Sequence, residues 1–391
     1  MCNIVNLSFY HKIKLILLRD KFVYFNVLVS IINLLFINRE LINKFSYSGF
    51  SSILYLEATS LMVISPFVGM TSAYVARVRI SNYHIGFLKA ISFTASLIFI
   101  FFYIVTSDVF YLFLTGTLLN FDFYFIRNNK YEFVFYKNVI QKSILFLSLF
   151  FIPSITCEFY IIIYSITLFS IGLLSYWVVF RNKSLIPDWS VFIKFYKVRS
   201  YFLYSSMLNI VQSFFSSSTV FFLKLFGFSD FVIGQVGIID KIAKSSLLFI
   251  SPLAIASSNR LKQLSIKNFA MIVKMLRVDF LLVGVLHAFT VIFLLHHFYY
   301  NSILGYGQKF LYVSMGIQYF IQTIFLQLYF LNRRAGILKY FYILSGVGVC
   351  NVFLIYLFKI YNLEILSIIW LQEFMLFLVL IITFKLFIKN R

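Results

Sequence analysis

Three ionisable residues stand in one long apolar run: Asp240, Lys241 and Lys244. Asp240 and Lys244 are four apart, so on a helix they share a face and can pair, while Lys241 projects about 100° away. An ionisable side chain inside a bilayer costs about 2.5 to 3.5 kcal/mol on insertion scales, so each one needs an explanation. In a low-dielectric cleft the two ammonium groups would attract a phosphate or diphosphate, with Asp240 tuning or releasing Lys244. If the helix enters from the outer side near Phe231, the three residues lie about 13 to 20 Å along its axis, in the outer half or near the midplane. If it begins near Gly237, the lysines snorkel to the outer interface and need no ligand. Both readings stand on the sequence.

Other polar residues are scattered among the remaining apolar runs. Gln318 and Gln322 lie one turn apart on a shared face. They suit the wall of a sugar-lined cavity, and interhelical hydrogen bonding explains them equally well. Glu57 reads as a counter-ion, as a protonatable coupling group, or as a solvated helix end. Asp122 and Asp279 fall near inner boundaries, and the adjacent His296 and His297 are a weak metal signal. The three cysteines, Cys2, Cys157 and Cys350, are too scattered for a disulfide framework or a metal site. No phosphate-binding loop, nucleotide turn or Ser-His-Asp context occurs, and Gly305 and Gly307 alone carry no meaning. The expectation is a protein that is not an enzyme, with no catalytic residue, metal or cofactor. Active transport would then draw on a proton, sodium or substrate gradient.

These residues must be positioned by membrane helices. Of 391 residues, 61% are hydrophobic and 12% charged, about half the charge of an ordinary soluble domain. The 52 Phe and 27 Tyr, against only 4 Pro and 15 Gly, favour long uninterrupted helices. The expected fold class is an all-α integral membrane protein. Twelve candidate runs emerge, at 22–38, 52–76, 85–106, 109–126, 138–157, 159–180, 201–223, 231–258, 279–297, 310–332, 340–358 and 365–386. The pair at 138–180 is split only by Pro153, Cys157 and Glu158, which leaves eleven helices open. A transmembrane β-barrel is excluded by continuous apolar stretches such as Leu145 to Ile152.

Charge sets the expected orientation, because short cytoplasmic loops collect Lys and Arg. With the N-terminus inside, 27 of the 34 basic residues fall on inner segments, among them Lys89, Lys137 and Lys142. Arg39, Lys44, Lys224, Lys309 and Lys359 fall outside, and Lys241 and Lys244 within a run. Both termini are expected to be cytoplasmic, and the net charge of +21 reads as topology first and lipid attraction second. A nucleic-acid partner is excluded, since no solvated domain clusters the charge. Residues 1–21 carry basic groups before an apolar stretch, but no small-residue cleavage site follows, so the first helix is expected to be retained.

The longest inner connection, 181–200, holds Pro187, Asp188 and Trp189 and is expected to link two six-helix lobes, 1–180 and 201–391. A repeat supports the division: Thr59 to Pro66 reads almost like Ser245 to Pro252, five of eight positions being identical. Repeats related by an axis along the membrane normal are a transporter architecture, with the substrate path between the halves.

The stretch from Phe222 to Lys244, with Gly227, Gly234 and Gly237 ahead of the lysines, and Ile250-Ser251-Pro252 followed by Arg260, resemble the Wzx-type O-antigen flippases of the multidrug/oligosaccharidyl-lipid/polysaccharide exporter superfamily. Arg39-Glu40-Leu41 and Ser48-Gly49-Phe50 are similar to that family's first outer loop, although the Gly after Leu41 is absent. The resemblance implies a bacterial inner-membrane flippase for undecaprenyl-diphosphate-linked O-antigen units, working by alternating access of two lobes and alongside other O-antigen assembly proteins. It implies that Lys241 and Lys244 receive the diphosphate, with Gln and Tyr positions meeting sugar. Two alternatives remain. An O-antigen polymerase would carry a large outer loop, whereas the longest expected here is Asn38 to Ser51. A drug or small-molecule antiporter of the same superfamily would share the fold.

Overall fold

A computed structural model describes residues 22, 25, 28, 29, 32–76, 82–128, 130–181, 184–190, 199–216, 218–245, 281, 284, 285, 287–294, 305–325 and 334–389. Among them there is no strand. A π-helical turn at Asn33–Ile37 leads into α1 (Asn38–Ala76), followed by α2 (Asn82–Thr106), α3 (Val109–Leu118), α4 (Asp122–Arg127), α5 (Tyr131–Phe151) and α6 (Cys157–Phe180). After the central connection come α7 (Arg199–Ser216), α8 (Ser218–Leu225), α9 (Asp230–Ser245), α10 (Tyr306–Phe325), α11 (Arg334–Ile360) and α12 (Ile368–Lys389). These labels are not a count of crossings. Among the described residues, seven stretches are long and apolar enough to span a bilayer: α1, α2, α3 with α4, α5, α6, α11 and α12. The chain is a membrane-embedded helical protein. Its outward faces carry Phe101, Ile104, Phe151 and Tyr342, each more than half exposed, which in a bilayer meet lipid.

Several boundaries differ from the sequence expectation. The loop expected at Asn38 to Ser51 is helical, broken only at Ser46, where φ is 59° and ψ 178°. The chain reverses there. Lys44 donates to the Leu149 carbonyl at one end of α5, while Phe22 and Phe25 meet Phe135 and Tyr136 at its other end. Beyond Ser46, Tyr74 returns to that same end and accepts from Arg127 through its carbonyl. A single residue in a backbone region nearly closed to side chains therefore replaces an open loop. The run expected at 109–126 breaks at 119–121, and that expected at 201–223 divides between α7 and α8. Residues 138–157 and 159–180 form two helices: α5 ends at Phe151, and the Thr156 hydroxyl caps α6 by accepting from the Phe159 amide.

Three lysines assigned to inner segments are packed into the helical body. Lys89 donates to the Ser184 and Ile186 carbonyls. Lys137 pairs with Asp122 and Asn120, which gives Asp122 a partner that its place near an inner boundary did not reveal. Lys142 sits eleven residues into α5, about 17 Å from its start. Within the central connection, 184–190 is tied down by Lys89 and by the Tyr176 hydroxyl, which donates to the Leu185 carbonyl. Ser245 is the last described residue of the second repeat copy, so the match to Thr59–Pro66, and with it Pro252, Arg260, Asp279, His296 and His297, lies outside the described residues. Both termini lie outside them too.

In the first copy, Pro66 supplies no N–H to the Met62 carbonyl four residues back. The Ser65 hydroxyl donates to that carbonyl at 2.8 Å. From the second half of the chain, α7 donates to α1 three times around Pro66: Asn209 to the Ser65 carbonyl at 2.9 Å, Ser206 to Pro66 at 3.0 Å and Ser205 to Gly69 at 2.7 Å. On α9, Gly234 lets the helix backbone approach the Tyr47 carbonyl so closely that any Cβ would collide. Helix α1 is thereby clasped between two helices from the second half of the chain. The larger apolar core reflects this, running continuously from Ile37 and Leu54 through Ile238 and Tyr312 to Phe384.

Candidate functional site

The clasp on α1 brings Glu57 and Lys241 together. Glu57 lies eleven residues beyond the Ser46 break and Lys241 eleven residues beyond the start of α9, so each is about 17 Å along its helix. Half of a hydrocarbon core of about 30 Å is about 15 Å, which puts both near the midplane. The Lys241 ammonium donates to Glu57 Oε2 at 2.8 Å, and the Tyr164 hydroxyl from α6 donates to Glu57 Oε1 at 3.1 Å. Both carboxylate oxygens are engaged, and both side chains keep about a quarter of their surface open, 26% for Glu57 and 29% for Lys241. The floor is aromatic, with Lys241 5.5 Å above the Phe50 ring.

Lys142 adds a second cation. Its ammonium stands 6.0 Å from the centre of the Tyr164 ring, and its charge acts on both Glu57 and Lys241. Counted with both ammonium groups charged, the surroundings of Glu57 hold two cations to one carboxylate, an excess of one positive charge. Lysine suits such a role because its three donors rotate on a flexible stem to meet phosphate oxygens.

The sequence expectations meet this geometry unevenly. Glu57 is not a solvated helix end; it is the counter-ion of Lys241. Asp240 lies on the other flank of α9, where its charge acts on Tyr312 and Tyr319 of α10. The Lys244 side chain lies outside the described residues, and with it the expected Asp240–Lys244 pair. Gln318 and Gln322 are buried; Gln322 donates to the Glu373 carbonyl of α12 at 3.3 Å and Gln318 to Ser314 at 3.2 Å. They belong to the α10–α12 seam. Sequence reasoning missed Lys142 and Tyr164. Lys142 carried a legible signal, a cation between Ile140 and Ile144, but it was counted with the inner charges. Tyr164 carried none, being one of 27 tyrosines.

With the cluster in place, comparisons were made against family models, curated proteins and solved structures. None matches the chain. The site therefore rests on its own chemistry. Among the described residues no group of three His, Cys, Asp or Glu stands close enough to hold a metal. What the arrangement can do is exchange one anion for another. The geometry leaves Lys241 paired with Glu57 and partly open, with Lys142 nearby as a second cation.

Proposed function

We propose that the chain is a flippase, carrying a diphosphate-linked oligosaccharide on an undecaprenyl-type lipid from the cytoplasmic to the periplasmic leaflet of a bacterial inner membrane. The observation that carries this reading is the Glu57–Lys241 ion pair at mid-depth, made between the two halves of the chain. In the unloaded protein, Glu57 neutralises Lys241 and holds α1 to α9. A diphosphate entering from the cytoplasmic side takes the place of Glu57, binds Lys241 and Lys142, and loosens the contact on which closure of the two lobes depends. Release at the other face lets Glu57 return, either alone or with a proton or sodium ion. The polyprenyl chain stays outside the polar cluster throughout. The absence of a long loop at 38–51 supports transport over sugar polymerisation, since that segment is helical and closed at Ser46.

The test is deletion of the gene followed by analysis of lipid-linked sugars. A flippase loss accumulates complete repeat units on the cytoplasmic leaflet. Single units transferred to the outer acceptor would overturn the proposal in favour of a polymerase, and an unchanged lipid pool would favour a small-molecule antiporter.

A further inference from the structure

Lys142 belongs to two places at once. Its ammonium stands 6.0 Å from the centre of the Tyr164 ring, whose hydroxyl donates to Glu57, while the residue also lines a groove of about 670 Å3 on the outer surface of the helical body. That groove runs between the N-terminal helical residues and α5, walled by Leu28, Ile32 and Phe36 on one side and Phe146 and Leu147 on the other. Among the described residues Lys142 is its only charged lining residue, with Asn33 and Ser143 as polar neighbours. A second groove of about 620 Å3, between α7, α8 and α11, is equally apolar and has no charged lining residue among the described residues.

An apolar groove facing a bilayer selects nothing by itself, because lipid tails are as apolar as its walls. Selection must come from the charge, and here the charge is deep. Lys142 lies about 17 Å along α5. A resident phospholipid keeps its phosphate at the interface, about 15 Å from the midplane. Only a lipid whose headgroup has left the interface brings a phosphate to Lys142.

We infer that the α5 groove holds the hydrocarbon chain of a phosphate-bearing lipid whose headgroup occupies the Lys142–Lys241 cluster, with Lys142 as the threshold between the two. This rests on the transport reading for the headgroup and adds where the chain lies and which residue reads the junction. A long cationic side chain at an apolar boundary can lay its stem along the wall and carry its charge elsewhere.

The experiment uses the full chain in phosphatidylcholine vesicles and two photoactivatable probes of identical polyprenyl chain, one a diphosphate and one the neutral alcohol, with labelled peptides mapped by mass spectrometry. The diphosphate is expected to label 135–147 about five-fold more than 345–356, and the alcohol to label both equally. Lys142→Gln should remove the preference and Lys142→Arg retain it. Leu147→Trp, which fills the groove without touching the charge, should lower diphosphate labelling and guards against a misfolded Lys142→Gln. Labelling that persists in excess inorganic pyrophosphate assigns the site to the lipid, whereas complete displacement assigns it to the free anion and overturns the groove. Equal labelling of the two grooves by the diphosphate, or a preference unchanged in Lys142→Gln, also overturns it. Because labelling requires no turnover, a labelled protein that fails to flip would refute the transport reading and leave the groove intact.

Discussion

Glu57 accepts from Lys241 with one oxygen and from Tyr164 with the other, so removing either partner leaves a charge near mid-membrane with incomplete compensation. A partly open pair is worth less than a sealed one, between the roughly 0 to 1 kcal/mol of surface pairs and the 3 to 5 kcal/mol lost on breaking buried ones. Glu57→Gln and Lys241→Gln should each lower the unfolding temperature in detergent, and the double variant should lose less than their sum. A coupling energy of about 1 to 2 kcal/mol is expected from the cycle; additive losses would show that the two charges act separately. The pair was half legible in the sequence. Lys241 stood out as a cation in an apolar run, but its partner is 184 positions away, and no local pattern links residues that only the packing of α1 on α9 brings together.

At the scale of elements, the proline in α1 and the glycine on α9 do opposite work. Pro66 opens a hydrogen-bond vacancy that Ser65 fills, so Ser65→Ala should cost about 1 kcal/mol by thermal unfolding. In a Pro66→Ala background, where the backbone N–H is restored, the same change should cost far less; an equal cost in both would show that Ser65 acts elsewhere. Gly234 permits backbone contact with Tyr47, so Gly234→Ala should cost about 1 to 3 kcal/mol through forced separation of α9 from α1. Gly348→Ala meets open space on α11 and should be neutral or slightly stabilising, because alanine favours helix. Element existence was well marked by apolar runs and by the basic residues between them. The turn at Ser46 was not, because the helix-forming residues from Asn38 to Phe45 continue the pattern up to it and a serine gives no warning of a positive φ. The expected runs that are not among the seven spans, 22–38, 201–223, 231–258, 279–297 and 310–332, all extend into residues outside the described ones.

For the whole molecule, the contacts sort the helix ends into two layers. Lys44 with Leu149, Lys224 with Asp230, Lys359 with Gly227 and Gln308 with Glu364 gather at one end. Arg127 with Tyr74 and Lys89 with Ser184 gather at the other. The charge rule places the second layer in the cytoplasm. Reporter fusions after Arg334 should therefore be cytoplasmic and those after Asn362 external, and an external Arg334 would invert the orientation. The excess positive charge that Lys142 brings to mid-depth then has an electrical consequence. On the transport reading, a diphosphate cargo would carry more negative charge than one lysine offsets, so the loaded protein would remain net anionic across the barrier. Each uncompensated charge crossing a membrane held at 100 mV exchanges about 2.3 kcal/mol with the field. In a cell whose interior is negative, export of such a cargo runs downhill electrically, and a potassium diffusion potential imposed on vesicles should accelerate it in one polarity and slow it in the other. Removing the Lys142 charge would steepen that voltage dependence even as it weakened binding.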